Sequence, residues 1–315
     1  MSSPAFVELA LKARSCSQKQ LAEHLNVSPA QISKWKKGEY MSADMEEKMR
    51  ELSGIGALDP DLVLLVGSVE HATKWEKVVH YIAEIAQENS ETDYDTEPLT
   101  DPYGLLCAET LRTLNEMGTA IPKIFPSELD VDYNDPDEDL DWEKLEGNPY
   151  FSLIYKIYNS VNDVYGFYIS YVYDLIYENH DELYDTGTEI ESCLLQLAAS
   201  KVDVDTAFAT KFNEFKYRTV SDYERWLPVV KEVAFRNGYP LKAELLKLIY
   251  RGHDDLGHEA EAESLGLNKS RIHPDVYMNE LLVGMRVIHQ VLPEIMKKLG
   301  MEGDFKLDTS KLHID

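Results

Sequence analysis

The chain has 315 residues, is 44% hydrophobic with a mean hydropathy of −0.35, and carries 57 acidic against 31 basic residues, a formal charge of −26. This length accommodates a small domain plus a larger one with its own core, and so acidic a composition excludes a nucleic-acid grip spread over the whole surface. Cys16, Cys107 and Cys193 are too far apart for a disulfide framework or a CxxC metal site, no run of 18 uncharged apolar residues predicts a membrane span, and Glu8 and Lys12 interrupt the first apolar stretch where a signal peptide would need none.

The first elements in chain order are two short helices within residues 17 to 38. Ser17 and Ser28 are each followed three residues later by a glutamine, Gln20 and Gln31, the spacing of a capping box. Leu21, Leu25 and Val27, then Ile32 and Trp35, recur at steps that place apolar side chains on the facing surfaces of two crossed helices. Ala22 is small enough for a close crossing. Asn26 falls at the turn, where a left-handed residue is wanted and asparagine tolerates that conformation. Pro29 suits the first position of the second helix. Trp35 reads as core, and His24 as an exposed residue without a role.

This arrangement of Ala22, Asn26, Ile32 and Trp35, with the ending ISKWKKG, resembles the lambda-repressor and Cro-like (Xre) helix-turn-helix family over roughly the first 60 residues. Asn26 stands where the family has glycine. The resemblance implies a second helix lying in the major groove of double-stranded DNA with its N-terminal residues at base edges. On that geometry Ser28, Ala30, Ser33 and Lys34 face bases, and Gln18, Lys36 and Lys37 face phosphates. Lys34 is the leading specific contact, since lysine reaches guanine O6 and N7. Gln31 either bonds adenine or closes its capping box, the box being the favoured role.

Charge divides the chain. Residues 1 to 57 hold eight Lys or Arg against seven Asp or Glu, a net of +1, so residues 58 to 315 carry −27 of the total −26. Between Lys12 and Lys37 six bases oppose only Glu23, a local footprint for phosphate. Ser42 then caps a helix with Asp44, Glu46 and Glu47 in its first turn, ending near Gly54. Asp59 and Pro60 begin a further helix whose stripe runs through Leu62, Leu65, Val66, Val69, Ala72, Val79, Ile82 and Ala86. That stripe either packs on the large part or pairs with a second copy. Residues 88 to 101, with six acids and no base, read as a linker.

Residues 126 to 148 contain ten acids and one lysine. They read as a solvated acidic segment, or as a mimic of DNA charge folded over the helix-turn-helix. The start Asp130, Asp132, Asn134 has EF-hand spacing, but Asp135 and Asp141 stand where that loop needs glycine and glutamate. Asn148 and Pro149 start an aromatic helix reaching about Glu178, suited to a core or an oligomer interface. Further helical runs are predicted over 190–200, 206–217, 223–236, 241–250 and 274–300, with a short extended tail over 304–314. Strand alternation is nearly absent.

Arg251, His253, Asp254, Asp255, His258 and Glu259 form the one cluster that invites catalysis. His253, Asp254, Gly257 and His258 resemble the HDxGH core of HD-type phosphohydrolases, although no histidine lies between Asp181 and Gly252. Arg251 and His258 resemble the Arg-x4-6-His pair of HEPN ribonucleases. The metalloprotease pairing fails for want of a second histidine after Glu259. No nucleotide-binding glycine motif occurs.

The sequence therefore predicts an all-α protein with three parts: a helix-turn-helix over 1–57, a connecting helix and linker over 58–101, and an acidic helical domain over 102–315. The expected function is a cytoplasmic, dimeric, sequence-specific DNA-binding repressor of bacterial or phage type. It would be without enzymatic activity, cofactor or metal, and its acidic domain would serve oligomerisation, a ligand or a partner protein. The alternative is an antitoxin, or an autoregulated effector whose helical domain cleaves RNA.

Overall fold

The computed structural model describes residues 2–92, 94–133, 141–173, 190, 193–236, 244–267 and 274–300, with the side chains of 229–236, 244 and 274–280 excepted. Among the described residues every regular element is helical, in keeping with the near absence of strand alternation in the sequence. The expected tail over 304–314 lies outside them, as does 134–140 of the acidic segment.

Four helices build the N-terminal unit: α1 (Ser3–Arg14), α2 (Gln18–Leu25), α3 (Pro29–Trp35) and α4 (Ala43–Ser53). Phe6, Val7 and Ala10 of α1 meet Leu21, Ala22 and Leu25 of α2, Ile32 and Trp35 of α3 and Met49 of α4 in one buried cluster. Each large side chain sequestered there contributes about 1.5–3 kcal/mol. Arg50 ties the unit to the turn beyond α4. Its guanidinium lies over the Phe6 ring, 5.0 Å from the centroid, and Nη1 donates to Gly56 O and Leu58 O, both at 2.8 Å.

The single helix expected beyond Pro60 is two. Helix α5 (Pro60–Val66) ends at Gly67, whose φ of 96° only glycine adopts without strain. Ser68 then caps α6 (Val69–Glu88) by accepting from His71 N at 3.1 Å. The apolar stripe continues across the break, so periodicity alone conceals it. Both helices pack within the chain, α5 on α1 and α8 (Leu106–Glu116), and α6 on α10 (Pro149–Tyr168).

Residues 88–101 are not an open linker. Thr92, Thr96 and Leu99 are buried, Glu97–Thr100 forms the short helix α7, and Thr96 Oγ1 donates to Asn162 Oδ1 at 2.7 Å. The stretch reads as polar, yet two of its threonines, Thr92 and Thr96, are buried inside the protein. In the acidic segment, Asp130 pairs with Lys74 at 2.7 Å and Leu129 is buried. Asp141 caps α9 (Trp142–Glu146) by accepting from Lys144 N at 3.2 Å, so two of the EF-hand-like positions serve an ion pair and a helix cap.

Helix α10 is the centre of the larger part, started as predicted by Asn148, whose Oδ1 accepts from Tyr150 N at 3.0 Å. Phe151, Ile154, Ile157, Tyr158, Val161, Val164 and Phe167 are buried along it, so its aromatic content serves the core. The buried hydroxyl of Tyr158 is satisfied by Thr110 Oγ1 at 2.7 Å, as burial of a polar group requires. After Tyr168 the winding loosens to a π-helical turn over Ile169–Tyr173; the rest of the expected run to Glu178 is outside the described residues. Around α10 pack α11 (Leu194–Ala199), α13 (Glu244–Tyr250) and α14 (His253–Ser264). The two runs expected over 206–217 and 223–236 are one helix, α12 (Phe212–Arg236). The last helix among the described residues, α15 (Pro274–Lys298), exposes most of the apolar side chains described along it, with Met296 half-buried.

Candidate nucleic-acid interface

The geometry of α2 and α3 is set by local hydrogen bonds. Ser17 Oγ accepts from Gln20 N at 3.4 Å while Gln20 Oε1 accepts from Ser17 N at 2.9 Å, a complete capping box. Asn26 closes α2 in the left-handed region with φ 54° and ψ 44°, the turn conformation expected of it. Ser28 Oγ accepts from Gln31 N at 3.2 Å, but the reciprocal bond from Gln31 is not made. The expected second box is therefore half a box. With Pro29 directly after the cap, α3 starts without help from Gln31, whose amide is left available at the helix surface.

Ser28, Ala30, Ser33, Lys34, Lys36 and Lys37 are all exposed, while Gln18 and Gln31 are partly so. The hydroxyl of Ser33 donates to Pro29 O at 3.1 Å, so its lone pairs, rather than its proton, face outward. Lys34 lies 3.4 Å from Glu39 Oε2, both side chains about half exposed at 55% and 53%. No acid pairs with Lys36 or Lys37 among the described residues, so their charges are free for phosphate. Trp35 is 5% exposed and its Nε1 donates to Tyr40 O at 3.2 Å; it is core, as its spacing indicates, and it anchors the loop after α3. His24 is exposed, its Nδ1 2.8 Å from Gln20 O.

Two neighbours of the face do not stand out in the sequence. Glu39 competes for Lys34, and Tyr40 holds its ring 86% exposed beside α3. The GEY after KKG is the available signal, but which way Glu39 turns depends on the tertiary course of the loop.

The Arg251–Glu259 cluster sits elsewhere, at the start of α14. Arg251 faces Asp255 at 3.5 Å, and Glu259 holds Lys247 at 2.8 Å. His253 Nδ1 lies 2.7 Å from Asp163 Oδ2 on α10. Burial pushes the Asp163 carboxyl up, and the hydrogen bond to Asp163 pushes the His253 imidazole up. His253, Asp254 and His258 line a cavity of about 470 Å³ that Arg251 does not border. Arg251 is thus engaged by Asp255, and His258 borders the cavity.

Residues 7–47 match a family model described as Helix-turn-helix (HTH_3), a span that covers α2 and α3 entirely with parts of α1 and α4. No curated protein and no solved structure matches the chain. The N-terminal segment is a helix-turn-helix of the lambda-repressor and Cro-like type, and no helix among the described residues is long and apolar enough to cross a membrane.

Proposed function

We propose that the chain is a sequence-specific regulator of transcription that binds double-stranded DNA, of bacterial or phage type and cytoplasmic, acting as a dimeric repressor at a palindromic operator. The observation that carries the reading is the solvent-facing surface of α3 and the lysines just after it. It holds Gln31 without its capping bond, and Lys36 and Lys37 without an acid among the described residues, on a chain whose remainder is strongly acidic. Phosphate contacts by those lysines set position, and base contacts by Gln31 and Lys34 set sequence. The acidic remainder repels DNA, which confines binding to this one face and makes it steeply salt dependent. The reading assigns the chain no catalytic activity, and leaves the acidic helical part for oligomerisation or a protein partner.

Support for the dimer comes from α15. Leu281, Met285, Ile288, Leu292 and Ile295 follow steps of four and three residues and are 45–61% exposed, the spacing of a two-helix seam that a second copy of the same helix complements. A two-fold pair presents two recognition helices to half-sites about 34–36 Å apart.

Selection of bound fragments from random DNA by the full-length protein tests the reading. The expected result is one enriched palindrome, recovered as the same sequence but in much lower yield with the variant Lys36→Ala/Lys37→Ala. Sedimentation should give a dimer for the wild type and a monomer for Ile288→Glu. Enrichment of no sequence refutes the regulator, and a wild-type monomer that protects a single asymmetric site refutes the dimer.

A further inference from the structure

The cavity between α10 and α14 has an unusual lining. Glu91, Asp163 and Asp254 supply three carboxylates, His253 and His258 two imidazoles, and Asn89, Asn159 and Asn162 neutral amides, with no lysine, arginine or cysteine among its wall residues. The cavity wall therefore places imidazole and carboxylate donors side by side in a partly enclosed space open to solvent.

The donors are already convergent. His253 Nδ1 lies 2.7 Å from Asp163 Oδ2 and 3.1 Å from Asp254 Oδ1, and the three ligand atoms all fall within 4.8 Å of one another. An ion about 2.0–2.2 Å from each of several N and O ligands requires ligand atoms roughly 3.0–3.5 Å apart, so small side-chain rotations convert this hydrogen-bonded triad into a coordination face. Asp163 comes from the C-terminal half of α10 and His253 and Asp254 from the first turn of α14, 90 residues further along the chain for His253. The fold therefore builds the triad from two helices.

Two features hold it in place. The backbone of α14 approaches Asp163 so closely at Gly257 that a Cβ there would overlap the carboxylate. The preceding residue on α10, Asn162, is pinned by donating to Ala86 O at 2.6 Å and accepting from Thr96 Oγ1 at 2.7 Å. His258, one turn beyond Asp254 on the same helix face, borders the same space.

We propose that Asp163, His253 and Asp254 bind one divalent first-row transition ion, with His258 as a further donor and the remaining coordination positions open to the cavity. The mixture of imidazole and carboxylate without thiolate suits manganese, iron, cobalt or zinc rather than a soft monovalent ion. The second His–carboxylate group among the described residues, Glu76, His80 and Asp101, is differently employed. Asp101 Oδ1 accepts from Leu105 N at 2.7 Å and Leu106 N at 3.1 Å, which fixes it as a structural cap ahead of α8. That group serves as the internal control. The inference does not depend on the DNA-binding reading.

The test is titration of chelator-treated, full-length protein with Co²⁺, followed by its visible absorption, and with Mn²⁺, followed by loss of the free-ion resonance signal. One equivalent should bind per chain. The Asp254 side chain is 81% exposed, so Asp254→Asn keeps the fold, with an unchanged melting temperature in chelator, and should weaken Co²⁺ by at least about tenfold. His253→Gln should do the same and remove the imidazole contribution to the Co²⁺ spectrum, while His80→Gln should bind as the wild type does. Failure of the wild type to bind either ion stoichiometrically overturns the proposal. So do wild-type affinity in Asp254→Asn and His253→Gln, or loss of binding in His80→Gln alone.

Discussion

Lys34→Ala should weaken binding to the selected operator while leaving binding to random DNA nearly unchanged. A well-placed contact to a guanine edge is worth about 1–3 kcal/mol, roughly a 5- to 150-fold change in Kd. Against this stands the Lys34–Glu39 pair, 3.4 Å apart with both side chains about half exposed, which solvent screening reduces to a few tenths of a kcal/mol. Lys34 must leave Glu39 to reach a base, so the base contact wins by a wide margin and the carboxylate acts as a small brake. Glu39→Gln should therefore tighten operator binding by roughly two- to fivefold, part from releasing Lys34 and part from removing a negative charge near phosphates. In a Lys34→Ala background only the second part is left, so the two changes are not additive. Fluorescence anisotropy at several salt concentrations measures all four proteins. Lys37→Ala provides the contrast, with equal losses on all sequences and a salt slope smaller by about one. Equal, sequence-blind losses from Lys34→Ala and Lys37→Ala would refute the assignment of Lys34 to a base.

At the turn, Asn26 has φ 54°, so Asn26→Ala should lower stability by about 1–2 kcal/mol while Asn26→Gly is neutral or stabilising, as denaturant unfolding will report. Between α10 and α14, Gly257→Ala forces the Asp163 carboxylate away from the helix and should cost about 1–3 kcal/mol in the same assay. Burial pushes the Lys201 ammonium from 10.5 down to about 7, although its bonds to Ile249 O at 3.0 Å and Arg251 O at 2.7 Å favour the charged form. Between those two values the unfolded chain holds a proton that the folded chain lacks, so stability rises with pH from about 7 toward 10.5, by no more than about 1.4 kcal/mol per unit. Lys201→Met should remove that slope, and an unchanged slope would show that Lys201 stays charged in the fold.

The features legible in the order of residues alone are short in range. The Ser17–Gln20 box, the left-handed Asn26, the starts at Pro29, Pro60 and Pro149 and the apolar spacing from Leu21 to Trp35 depend on bonds and contacts within a few residues. The helical class and the helix-turn-helix were therefore legible, and with them the side chains that face outward from α3. For Gln31 both a base contact and a capping role fit the same spacing, and the rotamer in the fold decides only that the capping bond is not made. Whatever rests on chain segments far apart was settled by folding instead. Gly67 breaks the helix after Val66, yet the apolar stripe runs on because α5 and α6 both bury their faces in the same core. Residues 88–101 look like a linker until Thr96 is seen against Asn162, 66 residues away. The His253 cluster shows in the sequence as a polar run. Asp163, whose carboxylate turns that run into a convergent group, lies on another helix that reaches it only when the core around α10 is assembled.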